Sequence, residues 1–247
     1  MTTGHAMIEL HNVTKYHERE RVLDNVSLVV DEGQMLGLVG PGGSGKTLLL
    51  KVLCGLVKPD SGSVLIDGVD ITRISPVELS DVRKRIGMLF QNYALFDFLN
   101  VEDNIAFPLR RAGGMGEREI LERVNELLER VNLPGINYQF PNELSGGMKK
   151  RVTFARAVIA KPPIIFYDDP TMGLDPVTSS KIFIMLEEFQ RTQRTTSICI
   201  THDLLGARDI CDEWAMIDEG RLVFRGDLSA VRASSDPFVT EFWDGAL

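Results

Sequence analysis

Residues Gly40, Pro41, Gly42, Gly43, Ser44, Gly45, Lys46 and Thr47 run in the order glycine, four residues, glycine, lysine, threonine. Glycines at this spacing let the backbone curl until successive N–H groups point inward at phosphate oxygens. The lysine reaches the β- and γ-phosphates, and the threonine hydroxyl is a magnesium ligand. A glycine-rich turn with an incidental lysine is the bland alternative. The flanks argue against it: an apolar strand, Gln34 to Val39, enters the loop, and a helix expected over Thr47 to Leu56 leaves it, adding its positive end. A second apolar run, Ile164 to Tyr167, delivers Asp168 and Asp169 at its end. Alone, such a pair is often a helix cap. Downstream of a phosphate loop, Asp168 is the expected magnesium holder, usually through water.

The elements that must position these groups follow from periodicity. Met7 to Val30 alternates in short strand-like runs, and Val64 to Ile66 followed by Asp67-Gly68 reads as a hairpin. The middle is helix-rich. Glu117 to Val131 carries Ile120, Val124, Leu127, Leu128 and Val131 at helical spacing, and after Leu144-Ser-Gly-Gly147 another helix runs to Ala160 before Pro162-Pro163. A helix over Pro176 to Arg191, a strand over Ser197 to Thr201 and strand signals at Glu213 to Ile217 and Leu222 to Phe224 complete the pattern. A short helical tail closes on Phe238, Phe242 and Trp243. Strands alternating with helices imply an α/β fold with a parallel sheet covered on both faces. The expected organisation is a RecA-like core with an antiparallel β subdomain over 7–92 and 161–225. An inserted α-helical subdomain occupies 93–160, and a tail follows over 226–247.

The 247 residues carry 27 Lys plus Arg against 35 Asp plus Glu, a net charge of −8. A dedicated nucleic-acid binder would present a basic surface, so no nucleic-acid partner is expected. Cys54, Cys199 and Cys211 lack paired or metal-ligand spacing and read as small buried side chains. His5, His11 and His17 have no ligand spacing either and read as solvated. The polar stretch Met1 to Ala6 is not a signal peptide, and no run reaches the ~18 apolar residues of a spanning helix. Work at a membrane would need spans from another chain.

Leu144, Ser145, Gly146, Gly147 and Met148, placed between the phosphate loop and the acidic strand, resemble the signature motif of ABC-type ATPases. A serine hydroxyl and glycine amides at a helix start form a second anion site. The resemblance covers about Ile8 to Ile217 and implies ATP and Mg2+ as cofactors. It also implies that Ser145, Gly146 and Gly147 face the γ-phosphate held by the other copy in a head-to-tail homodimer. On the same resemblance Tyr16 stacks on adenine, Gln91 senses the γ-phosphate and magnesium, Asp175 in Gly173 to Pro176 crosses the dimer interface, and His202 contacts the γ-phosphate. One residue departs from the pattern. The family normally places glutamate after the magnesium aspartate, where it positions the attacking water; here Asp169 stands there, one methylene shorter. Two outcomes are open: slow hydrolysis with a long-lived closed dimer, or a backbone shift that lets Asp169 reach the water.

The stretch Met88 to Arg110, with Leu144 to Arg151 and the tail Asp236 to Gly245, is similar to ATPases of MCE-type (Mla-like) phospholipid transporters. Asn92-Tyr93 departs from their usual Ser-Gly. The likeness implies lipid transport at the cytoplasmic face of an inner membrane, with an integral permease, an MCE-type substrate-binding protein and an accessory cytoplasmic subunit. Phe96, Phe98 and Leu99 then read either as a groove for the permease or as packing of the helical lobe. Phe238, Phe242 and Trp243 read either as anchors on the opposite subunit or as a fold-back on their own core. Import of a polar solute, amino-acid style, shares the nucleotide motifs but not the Ala94 to Arg110 pattern. A soluble nucleotide-gated switch is the alternative from a different class.

Overall fold

In the computed structural model, which describes residues 5–245, the short runs near the N-terminus join into two long strands, β1 (Ala6–His17) and β2 (Glu20–Asp31). They pair antiparallel, and Ile8, Leu10, Val13, Leu23, Val26 and Val30 are buried. The two-residue period breaks because the register shifts between Leu10 and Val13, where Asn12 takes φ 50°. That is how a bulge splits one strand into two apparent runs. β3 (Met35–Val39) is buried at every residue, as a strand covered on both faces requires. It leads through the glycine loop into α1 (Lys46–Leu53), which stops short of the expected Leu56 because Gly55 turns the chain at φ 64°.

The hairpin β4 (Ser61–Ile66) and β5 (Val69–Asp70) turns at Asp67-Gly68 as expected, and completes a four-stranded antiparallel sheet in the order β2-β1-β4-β5. Two of the elements that the sequence reading did not place come next. One is α2 (Pro76–Arg83), opened by a capping box between Ser75 and Glu78; the other is β6 (Ile86–Leu89). The helical layer comprises α3 (Val101–Ala112), α4 (Glu117–Arg130) and α5 (Gly146–Val158). Their apolar stripes, including Ile105, Val124 and Phe154, enter a common core.

The chain returns to the main sheet through β7 (Ile164–Asp168), α6 (Pro176–Gln193), β8 (Thr196–Ile200), α7 (Leu204–Ala207), β9 (Glu213–Asp218) and β10 (Arg221–Gly226). The six strands run in the order β10-β9-β3-β8-β7-β6, parallel except for the edge strand β10. One core fills the space between the two sheets around α1, with Leu38, Leu50 and Phe166. The other lies on the opposite face, beneath the helical layer. The C-terminal ends of β3, β7 and β8 adjoin, which is where open parallel sheets place their ligands.

The tail, α8 (Leu228–Arg232) and α9 (Pro237–Asp244), takes the fold-back course. Trp243 is 6% exposed and meets Trp214 edge-to-face with ring centroids 5.0 Å apart. Phe238 and Phe242 pack on the same core. Within one chain Trp243 thus packs as the fold-back alternative describes. Truncating a buried aromatic costs about 3–5 kcal/mol. Trp243→Ala is expected to lower unfolding free energy in urea by about 3 kcal/mol, equally at all protein concentrations. A loss that grew on dilution would instead place Trp243 between subunits.

Candidate nucleotide site

An open cleft of about 270 Å³ is lined by Gly42 to Leu48, Gln91, Asp168, Asp169, Ile200 and His202. The phosphate loop forms its floor. Gly40 cannot be another residue: its φ is 143°, and an added Cβ would run into the Ile217 carbonyl. At Gly42 and Gly43 an added Cβ would meet nothing within 4 Å, so the space above the loop is open to a ligand. Gly45, just ahead of α1, offers no side-chain cap, and the first turn of α1 has no acidic residue. Its leading N–H groups are thus left for an anion.

Lys46 Nζ donates to the Gly40 carbonyl at 2.8 Å, the Pro41 carbonyl at 2.7 Å and Ser44 Oγ at 3.2 Å. Burial pushes its ammonium below the usual lysine range, partly opposed by Asp169 and Asp168. Thr47 Oγ1 donates to Asp168 Oδ1 at 3.3 Å, bringing loop and acidic strand end together. Hydroxyl and carboxylate oxygens are the hard donors magnesium takes, and both face the cleft. Burial raises the Asp168 carboxyl above the ordinary range, while Thr47 and the lysines Lys150, Lys51 and Lys46 pull it back.

Asp169 is buried and sits in the left-handed region at φ 50°, tolerable for aspartate. Its N–H donates to the Ile200 carbonyl at 3.0 Å, and its Oδ2 lies 3.7 Å from Nε2 of the exposed His202. Burial raises its carboxyl, and His202 and Lys150 lower it in part. Such a carboxylate beside an imidazole suits orienting or accepting a proton from water. Gln91 enters from the segment after β6, its amide against the Met172 sulfur.

Other expected residues stand apart from this cleft. Tyr16 is 40% exposed, with Arg21 over its ring at 5.5 Å from the centroid. Ser145 is exposed and caps α5 by accepting from Met148 N–H at 3.3 Å. An added Cβ on Gly147 would approach Thr178 Cγ2 to 2.7 Å, so that glycine permits close packing on α6. Asp175 caps α6 by accepting from Thr178 N–H at 3.0 Å and the Thr178 hydroxyl at 2.6 Å, which lower its carboxyl pKa. Ser145 and Asp175 thus have local structural jobs in one chain.

The sequence reading missed Lys150. Its side chain is fully buried, and Nζ donates to the Gln91 carbonyl at 2.8 Å and the Asp169 carbonyl at 3.0 Å. Thr153 and Arg156 continue this stripe and grip the carbonyls of Tyr93 and Ala94. From α3, buried Asn104 holds Phe96, Leu99 and Asn100 through their backbone. The three-residue spacing 150, 153, 156 was the available signal, but main-chain acceptors leave no trace in a sequence.

Residues 23–172 match the family described as ABC transporter. The methionine import ATP-binding protein MetN of Carboxydothermus hydrogenoformans is 44% identical over 211 residues, 85% of this chain and 62% of that protein. The probable ribonucleotide transport ATP-binding protein mkl of Mycobacterium bovis is 39% identical over 238 residues, 96% of this chain and 66% of that protein. The chain thus spans less than two thirds of the length of either relative. A dimeric structure of a post-hydrolysis state of the ATP-binding cassette MJ0796, bound to ADP and Pi, matches with TM-score 0.84 at 34% identity, covering 90% of this chain and 99% of that one. With loop, acidic strand end and whole-cassette likeness in agreement, the chain belongs to the ABC transporter family, as an ATP-binding cassette.

Proposed function

We propose that this cassette binds and hydrolyses ATP with Mg2+ as a head-to-tail pair of copies, and that the pair drives phospholipid movement through an integral permease. The observation that carries the nucleotide part is the cleft uniting Lys46, Thr47, Gln91, Asp168, Asp169 and His202 from separate elements. Thr47, Asp168 and Gln91 are assigned to magnesium, which when bound would draw charge off the phosphate oxygens. Asp169 is assigned to the attacking water, and Gln91 and His202 to the γ-phosphate. Ser145, Gly146, Gly147 and Asp175 act across the pair, and Tyr16 meets the adenine. The division into core, helical insert 93–160 and tail is part of the same reading.

The permease part is supported by the Phe96 corner. Phe98 is 77% exposed and Phe107 36% exposed, and both pack on Phe96, with centroids at 5.7 and 4.8 Å. Exposed aromatics on a rigid backing suit an apolar partner. Among the described residues no helix is long and apolar enough to cross a membrane, and on this reading the spans are assigned to that partner. The MCE-type protein, the accessory subunit and the placement at the cytoplasmic face of an inner membrane rest on the Met88 to Arg110 likeness. The identity to MetN favours a second reading, ATP-driven import of an amino acid.

Affinity capture of the tagged chain from detergent-solubilised membranes separates the two. A multi-span permease with a single-span MCE-like protein and enriched phospholipid is the expected result. A permease with a soluble amino-acid-binding protein and no lipid enrichment would establish the import reading in its place.

A further inference from the structure

A lysine ammonium buried with no hydrogen-bonded carboxylate among the described residues, and with Asp169 and Asp168 acting on it only through space, costs stability that an apolar side chain of similar volume would not. Lys150 has two neutral carbonyls and the Tyr93 ring, 5.2 Å from Nζ to its centroid. Its position explains what that cost secures. The two carbonyls belong to Gln91, which opens the segment leading to the Phe96 corner, and to Asp169 at the end of β7. Asp169 is clamped on both sides: β8 takes its N–H through Ile200, and α5 takes its carbonyl through Lys150. The residue after it is Pro170, which has no N–H to steady the turn. Within the turn itself, that carbonyl receives only a long bond, from Met172 N–H at 3.3 Å.

The rest of the stripe ties α5 to the same segment. Thr153 Oγ1 donates to the Tyr93 carbonyl at 3.1 Å, and Arg156 donates to the carbonyls of Ala94 at 2.7 Å and Tyr93 at 3.2 Å. Arg156 also lies over the Phe96 ring, 5.7 Å from its centroid. Both Tyr93 and Ala94 adopt positive φ, 59° and 53°, a backbone shape that turns their carbonyls toward α5. The Phe96 corner and α5 are therefore fastened as one body, and Lys150 carries that body's contact to the Asp169 turn.

We propose that Lys150 is a positioning residue for hydrolysis, holding the Asp169 turn in register only while α5 and the 91–96 segment are seated on β7. Displacing that segment withdraws Lys150 from the Asp169 carbonyl and lets the carboxylate swing away from the water. This rests on the assignment of Asp169 to the attacking water.

The test uses the purified full chain, with steady-state ATPase, equilibrium ATP binding and single-turnover hydrolysis with labelled ATP. Lys150→Met, which keeps the volume and removes the ammonium that donates to both carbonyls, is expected to lower kcat about ten- to a hundredfold. KM and Kd for ATP should stay within about twofold, since the loop groups are untouched. Lys150→Arg keeps the donors and is expected to recover most of the rate. In an Asp169→Asn background, Lys150→Met should cost nothing further in single-turnover rate, because the group it positions is gone. Unchanged kcat in Lys150→Met, or a loss that persists in full on the Asn background, overturns the proposal. So does failure of both Lys150→Met and Lys150→Gln to fold, which would make the residue a strut of the fold alone. If Asp169→Asn hydrolyses ATP normally, the assignment of Asp169 itself is wrong, a result separate from any effect at Lys150.

Discussion

Asp169→Glu is expected to raise kcat for ATP at saturating nucleotide by about ten- to a hundredfold, with KM nearly unchanged. The carboxylate of Asp169 is buried at the cleft wall, 3.7 Å from His202, and its backbone is clamped on both sides. A clamped backbone cannot slide to make up for a short side chain, so the missing methylene shortens reach at the reacting centre by about 1.5 Å. Misplacement on the order of 1 Å costs on the order of 100-fold in rate. The longer side chain gains that reach against a small penalty, since glutamate is less at ease than aspartate at φ 50°. Before the substitution, the ATP-bound pair of copies should persist long enough to be resolved by size exclusion. An unchanged or lower kcat in the glutamate variant would mean that the left-handed turn already delivers the aspartate to the water.

A second pair of substitutions, Lys46→Ala and Ser145→Arg, separates events within one chain from events between two. Lys46 now bonds two carbonyls and a hydroxyl of its own loop. Removing it takes away a charged donor worth about 1.5–3 kcal/mol to a phosphate, so ATP binding should weaken about ten- to a hundredfold. Ser145 is exposed and caps α5. An arginine there sacrifices a cap worth about 1 kcal/mol and sets a bulky cation on the face assigned to the other copy. ATP binding measured by calorimetry should be unaltered in Ser145→Arg, while turnover falls by about 100-fold or more. Equal loss of binding in both variants would mean that Ser145 serves its own chain's nucleotide, and the head-to-tail reading would fail.

How much of this was legible beforehand follows the range of each interaction. The phosphate loop, its strand and its helix lie within one local stretch, and β7 with its two acids lies within another, so residue types alone exposed them. α2 escaped because only Val82 of that helix is buried, leaving no apolar stripe to read. Its signal was the cap, Ser75 and Glu78 around Pro76. β6 escaped because four residues with a central Gly87 look like a turn; their strand character comes from pairing with β7. α3 carries Pro108 in its interior, which argues against a helix from sequence. Lys150 was given no role of its own, since both carbonyls that hold it belong to distant segments. The tail's choice between two courses depended on Trp214, whose ring lies beneath α9 only once β9 has joined the sheet.

That last contact has a spectroscopic consequence. The chain has two tryptophans, and they are the pair that meet beneath α9. Trp214 is 1% exposed, and its indole N–H has no hydrogen-bond partner among the described residues. Neither ring lines the nucleotide cleft. All tryptophan emission of this chain therefore originates at one buried junction. Its wavelength and near-ultraviolet ellipticity form an intrinsic gauge of whether the tail is docked, with no contribution from an indole in the nucleotide cleft.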